Sequence, residues 1–237
     1  MKFAVVQFGG SNCDQDTYHV LTDVCGVDTD LVWYKDGLRR PYDAVVLPGG
    51  FSYGDYLRAG AIAARTPVMA EIVRHAKSGG LVLGICNGAQ IGSEAGLVPG
   101  TFTLNAYPKF ISRHVCLRVE STGSPFTALY HEGEVIRVPI AHAEGRYVAP
   151  DDVIARLNRE KRVAFRFCDE HGNATPESNP NGSAESITGV LSEAGNVLAM
   201  MPHPERASER ALGSEDGIKI FKSMIAHIEE YGRRKPG

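Results

Sequence analysis

Residues 79–90 have the sequence Gly79-Gly80-Leu81-Val82-Leu83-Gly84-Ile85-Cys86-Asn87-Gly88-Ala89-Gln90. The apolar residues at 81–85 predict a short buried strand, and the residues after Gly88 predict that a helix follows at once. Cys86 stands between them in a G-x-C-x-G pattern, the thiol counterpart of the nucleophile turn between a strand and a helix. Small neighbours are needed there because larger side chains would collide. We therefore expect Cys86 at a strand end, facing a helix N-terminus that favours thiolate.

A buried structural cysteine is the alternative explanation for Cys86, because free cysteine is among the residue types most often found in protein cores. Gly84 and Gly88, on its two sides, favour a nucleophile instead. The pattern alone is not a mechanism, since a nucleophilic thiol also needs a base, which must come from elsewhere in the chain.

The composition is that of a globular protein with nearly balanced charge. The chain has 237 residues, which fits one large domain or two small ones. Its formal net charge is −3 and its pI is near 6.2, so we expect no nucleic-acid partner. Its five cysteines include no C-x-x-C pair, which predicts neither a disulfide framework nor a zinc site and favours a reducing, cytoplasmic setting. No apolar run approaches the length of a membrane span, and the residues after Met1 do not resemble a signal peptide.

Strands alternate with helical patterns in the first half of the chain. Strands are predicted at residues 2–8, 27–34, 43–47 and 81–85, and helices at 14–24, at 56–77 in two pieces, and after Cys86. This alternation is typical of an α/β fold with an open, mostly parallel sheet and helices on both faces. The second half predicts a smaller antiparallel section, with strands at 113–121, 133–139, 163–167, 187–191 and 196–200, a surface loop at 169–186 and a last helix at 215–231.

Three glycine-rich turns are expected to meet at one edge of this sheet. Gly9-Gly10 follows the first strand, Gly49-Gly50 follows the third, and the turn at Cys86 follows the fourth. The carboxyl ends of parallel strands share one edge, and such sheets bind their ligands there. An ordinary tight turn would explain Gly9-Gly10, whereas the long polar loop at residues 48–55 favours a ligand site.

His203 is the best candidate for the base among the eight histidines. It follows an apolar strand and stands between Pro202 and Pro204, which restrict its backbone. Glu205 lies two residues further on, so both side chains can leave an extended segment on the same side. A carboxylate in that position can orient the imidazole and support its charged form.

His142 is the second candidate, because it forms another His-x-Glu pair with Glu144. This pair lacks the strand and the prolines that precede and flank His203. A substrate-binding segment and a simple polar turn therefore explain it equally well.

Longer motifs resemble those of the class I, or triad-type, glutamine amidotransferases. The G-x-C-x-G-x-Q pattern at 84–90, Pro48-Gly49-Gly50 and His203-Pro204-Glu205 match the whole class. More specific blocks resemble the glutaminase subunits of phosphoribosylformylglycinamidine synthase, at residues 11–14, 49–63, 179–183 and 195–206. The resemblance runs from Phe3 to about Tyr231, which implies a single amidotransferase domain over residues 1–237.

This resemblance implies a flavodoxin-like sheet and the hydrolysis of glutamine to glutamate and ammonia. It assigns Cys86 as the nucleophile, His203 as the general acid and base, and Glu205 as the partner that orients the imidazole. Five further positions match residues around the substrate. Gly50 and Asn87 match the positions whose backbone N–H groups form the oxyanion hole, and Gln90 matches a residue beside the bound glutamine. His142 and Glu144 lie in a segment that resembles the one lining the amino-acid end of the substrate.

The resemblance also implies a partner protein. No G-x-x-x-x-G-K-[ST] motif occurs in the chain, so ATP, magnesium and formylglycinamide ribonucleotide would be bound by a separate large synthetase subunit that receives the ammonia. A small accessory subunit is implied as well, and we expect no cofactor or metal in this chain. Three alternatives remain open: a glutaminase that serves a different synthetase, a cysteine hydrolase of γ-glutamyl or peptide substrates, and a non-enzymatic thiol sensor.

Overall fold

The computed structural model describes residues 1–234. Its strands are β1 (Lys2–Gln7), β2 (Asp28–Trp33), β3 (Ala44–Leu47), β4 (Leu81–Ile85), β5 (Thr101–Thr103), β6 (Ile111–Val119), β7 (Val135–His142), β8 (Arg146–Val148), β9 (Val163–Cys168), β10 (Ile187–Leu191) and β11 (Val197–Met200). Its α-helices are α1 (Asp14–His19), α2 (Pro67–Lys77), α3 (Asn87–Glu94), α4 (Asp151–Arg159) and α5 (Ile218–Arg234). Short 3₁₀ or π segments lie at Val20–Val24, Ser52–Asp55, Ala63–Arg65, Ala184–Ser186, Pro204–Ala207 and Arg210–Leu212.

One large sheet organises the part of the chain that the structure describes. Nine strands lie in the order β2-β1-β3-β4-β11-β10-β9-β6-β7, and β5 pairs with β8 in a separate two-stranded sheet. The strands from β2 to β11 pair in parallel, and those from β11 to β7 pair antiparallel. The predicted α/β class, with an antiparallel section in the second half, is confirmed. That section continues the main sheet.

The core lies around the central strands because these strands are apolar along their whole length. All four residues of β3 and nearly all of β4 are inaccessible to solvent, as expected for parallel strands that are covered on both faces. Helix α2 contributes Val68, Met69 and Ile72 to the same core. It begins at Pro67, which suits the first helical turn because its missing N–H is not needed there.

The position of β11 corrects one detail of the sequence-based prediction. The strand at residues 196–200 was expected within the antiparallel section, but β11 pairs in parallel with β4, with Val197 opposite Val82 and Met200 opposite Ile85. Its other edge pairs antiparallel with β10. Because β4 and β11 end side by side, the segments that follow them must emerge next to each other.

Several local predictions differ from the structure. The first helical piece of residues 56–77 is mostly turns, and Leu57 has a φ of 69° that a helix does not allow. Strands β5 and β8 are too short to show a period, and α4 buries only Ile154 and Leu157, so these elements were missed. The loop at 169–186 is not wholly a surface loop, because Asn181 is fully buried and its Nδ2 donates to the Gly145 carbonyl at 2.8 Å.

Within residues 1–234, no helix is both long enough and apolar enough to cross a lipid bilayer.

Candidate active site

Cys86 occupies a strained turn between β4 and α3. Its φ of 51° and ψ of −109° are unusual for a residue with a side chain, and such conformations persist only where the surrounding structure enforces them. The Cys86 N–H donates to the Met200 carbonyl on β11 at 2.8 Å, and the thiol lies 3.7 Å from the Ala141 carbonyl oxygen. The turn is therefore fixed by the two neighbouring segments.

The two glycines around Cys86 are required by close backbone contacts. A Cβ atom at Gly84 would lie 2.7 Å from the Gly88 carbonyl oxygen, and one at Gly88 would lie 1.9 Å from the Leu47 carbonyl oxygen. Real Cβ atoms do not approach oxygen this closely, so α3 can pack against β3 and β4 only without side chains at these positions. The G-x-C-x-G pattern thus has a steric cause in the structure.

Replacing Gly88 by alanine is expected to lower the free energy of unfolding by about 2 kcal/mol or more, because backbone must move to admit the methyl group. Gly92→Ala is the matched control in the same helix, since a Cβ there has no neighbour within 4 Å among the described residues. We expect it to leave stability unchanged or raise it by about 0.5–1 kcal/mol through helix propensity. Chemical denaturation of both variants measures the difference, and equal effects would contradict this packing.

His203 and Glu205 form a buried ion pair directly after β11. Nδ1 of His203 lies 2.5 Å from Oε1 of Glu205, and each residue is only 1% exposed. The His203 N–H donates to the Pro139 carbonyl on β7, and Pro204 begins a short 3₁₀ turn that returns Glu205 towards the ring. Burial alone would lower the pKa of His203, but the charges of Glu205 and Cys86 outweigh it and hold the pKa well above its usual value. Among the described residues, Nε2 of His203 has no hydrogen-bond partner.

The loop after β3 brings a backbone N–H group to the same place. Gly50 has a φ of 154°, and a Cβ there would lie 2.6 Å from the Gly10 carbonyl oxygen. Its pairing with Ser11 leaves the Gly50 N–H without a backbone partner in the described chain. Asn87 is the first residue of α3, so its N–H also lies outside the helical hydrogen-bond ladder. The two N–H groups can act as paired donors to an oxyanion.

The side chain of Asn87 connects the loop after β3 with helix α3, the two segments that supply these donor N–H groups. Its Oδ1 accepts from the Ser52 N–H at 3.0 Å, and its Nδ2 donates to Oε1 of Gln90 at 2.9 Å. Nε2 of Gln90 in turn donates to the Glu144 carbonyl at 2.6 Å. This chain of bonds connects the loop after β3, helix α3 and the segment after β7.

Most of the predicted site residues line one cavity of about 300 Å³. Six of the eight predicted site residues form part of its walls: Gly50, Cys86, Gln90, His142, Glu144 and His203. The other two do not line the cavity: Glu205 is bonded to Nδ1 of His203, and Asn87 is buried at the start of α3. The glycine-rich turns after β1, β3 and β4 therefore meet at one sheet edge with the segment after β11.

Comparison with known proteins agrees with this geometry. Residues 1–225 match the model of the CobB/CobQ-like glutamine amidotransferase domain. The chain belongs to this family of glutamine amidotransferases. The resemblance inferred from the motifs is thereby confirmed.

Two curated relatives from the same family cover nearly the whole chain. The chain is 55% identical to phosphoribosylformylglycinamidine synthase subunit PurQ of Methanosarcina acetivorans, over 97% of this chain and 99% of that protein. It is 50% identical to subunit PurQ of Moorella thermoacetica, over 95% of each chain.

Solved structures of amidotransferases have the same fold. A chain in the structure of PurLQS from Thermotoga maritima has a TM-score of 0.85 and 45% identity, over 96% of this chain and 98% of that one. A glutamine amidotransferase from the same organism has a TM-score of 0.55 at 15% identity, over 100% of this chain and 86% of that one. The second match supports the fold alone.

The sequence alone did not predict that Cys13 lies next to His203. A Cβ at Gly49 would lie 2.8 Å from Cε1 of His203 and 3.0 Å from Sγ of Cys13, which places the thiol beside the ring. Burial raises the pKa of this thiol. Cys13 follows the first glycine-rich turn, and that position at the shared sheet edge was the signal available in the sequence.

One group of side chains has the spacing of a metal site. Cys13, His203 and Glu205 each offer one ligand atom, and these atoms lie within 4.8 Å of one another. However, Nη2 of Arg206 donates to Sγ of Cys13 at 3.1 Å. A guanidinium on the sulfur disfavours a second cation, so this group suits proton transfer better than metal binding.

Proposed function

We propose that this chain is the glutaminase subunit of phosphoribosylformylglycinamidine synthase, which hydrolyses L-glutamine to glutamate and ammonia for a separate synthetase subunit. The observation that carries the proposal is the meeting of Cys86 with the His203–Glu205 pair in one cavity, at the ends of the adjacent parallel strands β4 and β11. The names of the full-length relatives support the choice of synthase.

The thiolate of Cys86 attacks the side-chain amide carbon of glutamine. The strained turn holds the sulfur at the cavity wall, so the nucleophile needs no rearrangement to reach the substrate. Negative charge then develops on the amide oxygen, and the N–H groups of Gly50 and Asn87 donate to it. Removing one such donor typically slows acyl transfer about a hundredfold or more.

His203 moves the protons in both halves of the reaction. It gives a proton to the departing ammonia, and it then takes one from the water that hydrolyses the glutamyl thioester. Glu205 bonds to Nδ1, so Nε2 is the nitrogen that faces the reaction. The carboxylate also stabilises the imidazolium, in agreement with the raised pKa of His203.

The remaining steps belong to partner proteins in this proposal. The chain contains no phosphate-binding G-x-x-x-x-G-K-[ST] motif, so the large synthetase subunit would bind ATP, magnesium and formylglycinamide ribonucleotide and form formylglycinamidine ribonucleotide from the ammonia. The matching chain in the PurLQS structure supports a complex with a synthetase subunit. A small accessory subunit is part of the proposal as well.

The domain organisation and the location are also proposed. Residues 1–237 act as one glutaminase domain, since a single sheet contains strands from both halves of the described chain. We place the enzyme in the cytoplasm because its nucleophile must stay reduced and its cysteines are free thiols.

Assembly with the synthetase is expected to raise glutamine hydrolysis well above that of the chain alone. Ammonia released into neutral water would be protonated and lost as a nucleophile, so coupling to the acceptor site is advantageous. Glutamate formation should be measured for the chain alone, with the synthetase, and with the synthetase plus ATP and acceptor. Equal turnover in all three would contradict coupling, and activation by a different synthetase would contradict the choice of partner.

A further inference from the structure

Cys13 is a buried thiol that the proposed reaction does not use, although it lines the same cavity as Cys86. It lies between the first glycine-rich turn and α1, and it is only 2% exposed. Its backbone N–H donates to the Gly49 carbonyl at 3.2 Å, and its own carbonyl accepts from Oγ1 of Thr17 at 2.8 Å. These bonds to the loop after β3 and to α1 hold the Cys13 backbone in one place.

The thiol of Cys13 is fixed as well as its backbone. The S–H group donates to Oδ1 of Asn12 at 3.3 Å, and the sulfur accepts from Nη2 of Arg206 at 3.1 Å. Arg206 belongs to the short 3₁₀ turn after β11, and its Nε donates to Oδ2 of Asp16 at 3.1 Å. The guanidinium thus connects helix α1 to the sulfur and keeps the thiol from turning away.

Stability does not explain why a guanidinium is placed on this sulfur. Burial raises the pKa of Cys13, so the group is a neutral thiol at ordinary pH, and a neutral sulfur is only a weak hydrogen-bond acceptor. The Asp16 side chain that pairs with Arg206 is 46% exposed, and exposed ion pairs contribute about 0–1 kcal/mol. The arrangement therefore points to a role for the sulfur at the neighbouring triad.

The sulfur of Cys13 lies beside the imidazole of His203. Sγ, one ring nitrogen and one carboxylate oxygen of Glu205 lie within 4.8 Å of one another. A Cβ at Gly49 would lie 2.8 Å from Cε1 of the ring and 3.0 Å from the same sulfur, so no methyl group fits where ring, thiol and Gly49 meet. Cε1 joins the two ring nitrogens, so these neighbours restrain the ring between Nδ1 and Nε2.

This restraint is needed because only one ring nitrogen of His203 is held by a bond. Oε1 of Glu205 holds Nδ1, whereas Nε2 has no hydrogen-bond partner among the described residues. One bond still allows the ring to swing about Nδ1. Burial lowers the pKa of His203, but the charges of Glu205 and Cys86 raise it. Cys13 adds to this rise, in agreement with its contact with the ring.

We propose that Cys13, held by Arg206, is a positioning residue that keeps Nε2 of His203 aimed at the reacting groups. The inference rests on the proposed function and adds the means by which the general acid and base is kept in place. Proton transfer requires a hydrogen-bond distance, and a misplacement of about 1 Å can cost on the order of a hundredfold in rate. Neither Cys13 nor Arg206 exchanges a proton with the substrate in this role.

The test measures glutamine hydrolysis by the complex assembled with the synthetase. In Cys13→Ala the ring loses its contact with sulfur, so kcat should fall about ten- to a hundredfold while KM stays within about twofold. Cys13→Ser should recover most of kcat, since a hydroxyl can accept from Arg206 and donate to Asn12 in the same place. Synthesis from added ammonium salt should continue at the unmodified rate in both variants.

Arg206→Gln tests whether the guanidinium acts through the sulfur. Alone it should lower kcat about tenfold with KM unchanged. In the Cys13→Ala background it should have no further effect, because the contact through which it acts is already absent. This variant alone decides the outcome if Cys13→Ala does not fold, which thermal unfolding would show.

Cys168→Ala is the matched control for the loss of a buried thiol. Cys168 is 3% exposed on β9 and does not line the cavity, so kcat and KM should not change. A fall in kcat equal to that of Cys13→Ala would mean that removing any buried thiol has this effect, and would overturn the positioning role.

The other outcomes separate this inference from the proposed function. Unchanged kinetics in Cys13→Ala, a change in KM alone, no recovery in Cys13→Ser, or losses that multiply in the double variant would overturn the positioning role and leave the glutaminase function intact. If the unmodified complex does not hydrolyse glutamine, the proposed function fails and the positioning role with it.

Discussion

In the Cys86→Ala variant, glutamine-dependent synthesis by the complex is expected to fall on the order of 10⁴-fold or more, the effect typical of losing a catalytic nucleophile. Alanine removes only the sulfur and should tolerate the turn no worse than cysteine, since both residues have a Cβ at a φ of 51°. Synthesis from added ammonium salt should continue at the unmodified rate, because the acceptor site lies on the other subunit. Initial rates with each nitrogen source measure the two activities.

The matched control for this variant is Cys25→Ala. Cys25 is a partly buried free thiol that does not line the cavity, so its loss should leave both activities unchanged. If Cys86→Ala abolished ammonia-dependent synthesis too, the variant would be damaging the complex and not only the nucleophile. If glutamine-dependent synthesis survived, Cys86 would not be the nucleophile.

Glu205→Gln is expected to lower glutamine-dependent activity on the order of 10⁴-fold while the chain keeps its fold, as the corresponding acid-to-amide change does in a serine triad. An amide of nearly the same shape can still contact Nδ1 of His203, but it does not stabilise the imidazolium. Since Glu205 holds the pKa of His203 high in spite of burial, its neutralisation must lower that pKa. The limb of the kcat/KM profile that reports on His203 should therefore move to lower pH, which rates measured across a pH series would show.

Glu209→Gln provides the control for this second variant. Glu209 is an acidic neighbour that bonds to His19 and does not touch His203, so neither rate nor pH profile should change. A lower rate in Glu205→Gln without movement of the pH limb would mean that the carboxylate acts only in packing.

The nucleophile turn could be predicted from sequence because its cause is local. Gly84, Cys86 and Gly88 are close in the chain, and the contacts that exclude side chains there involve β3, β4 and α3, which the apolar pattern also predicted. The short strands β5 and β8 leave no comparable pattern, because three residues do not define a period.

The partners of the nucleophile needed the tertiary structure. His203 was identified from its proline-flanked position after a strand, but its place beside Cys86 depends on β11 pairing in parallel with β4, which no local pattern determines. The contact of Cys13 with the His203 ring comes from the close approach of loops that are distant in sequence. Oδ1 of Asn105 lies 3.1 Å from Nδ1 of His142, although the two residues are 37 positions apart, and Asn105 carried no sequence signal of its own.

The step at Cys86 can be observed by rapid acid quenching of the assembled complex during turnover with isotope-labelled glutamine, followed by peptide mapping and mass spectrometry. A glutamyl thioester formed in this cavity predicts label on the peptide that contains Cys86, and none on that peptide in Cys86→Ala. Label on a different residue, or continued glutamine turnover in Cys86→Ala, would contradict the mechanism.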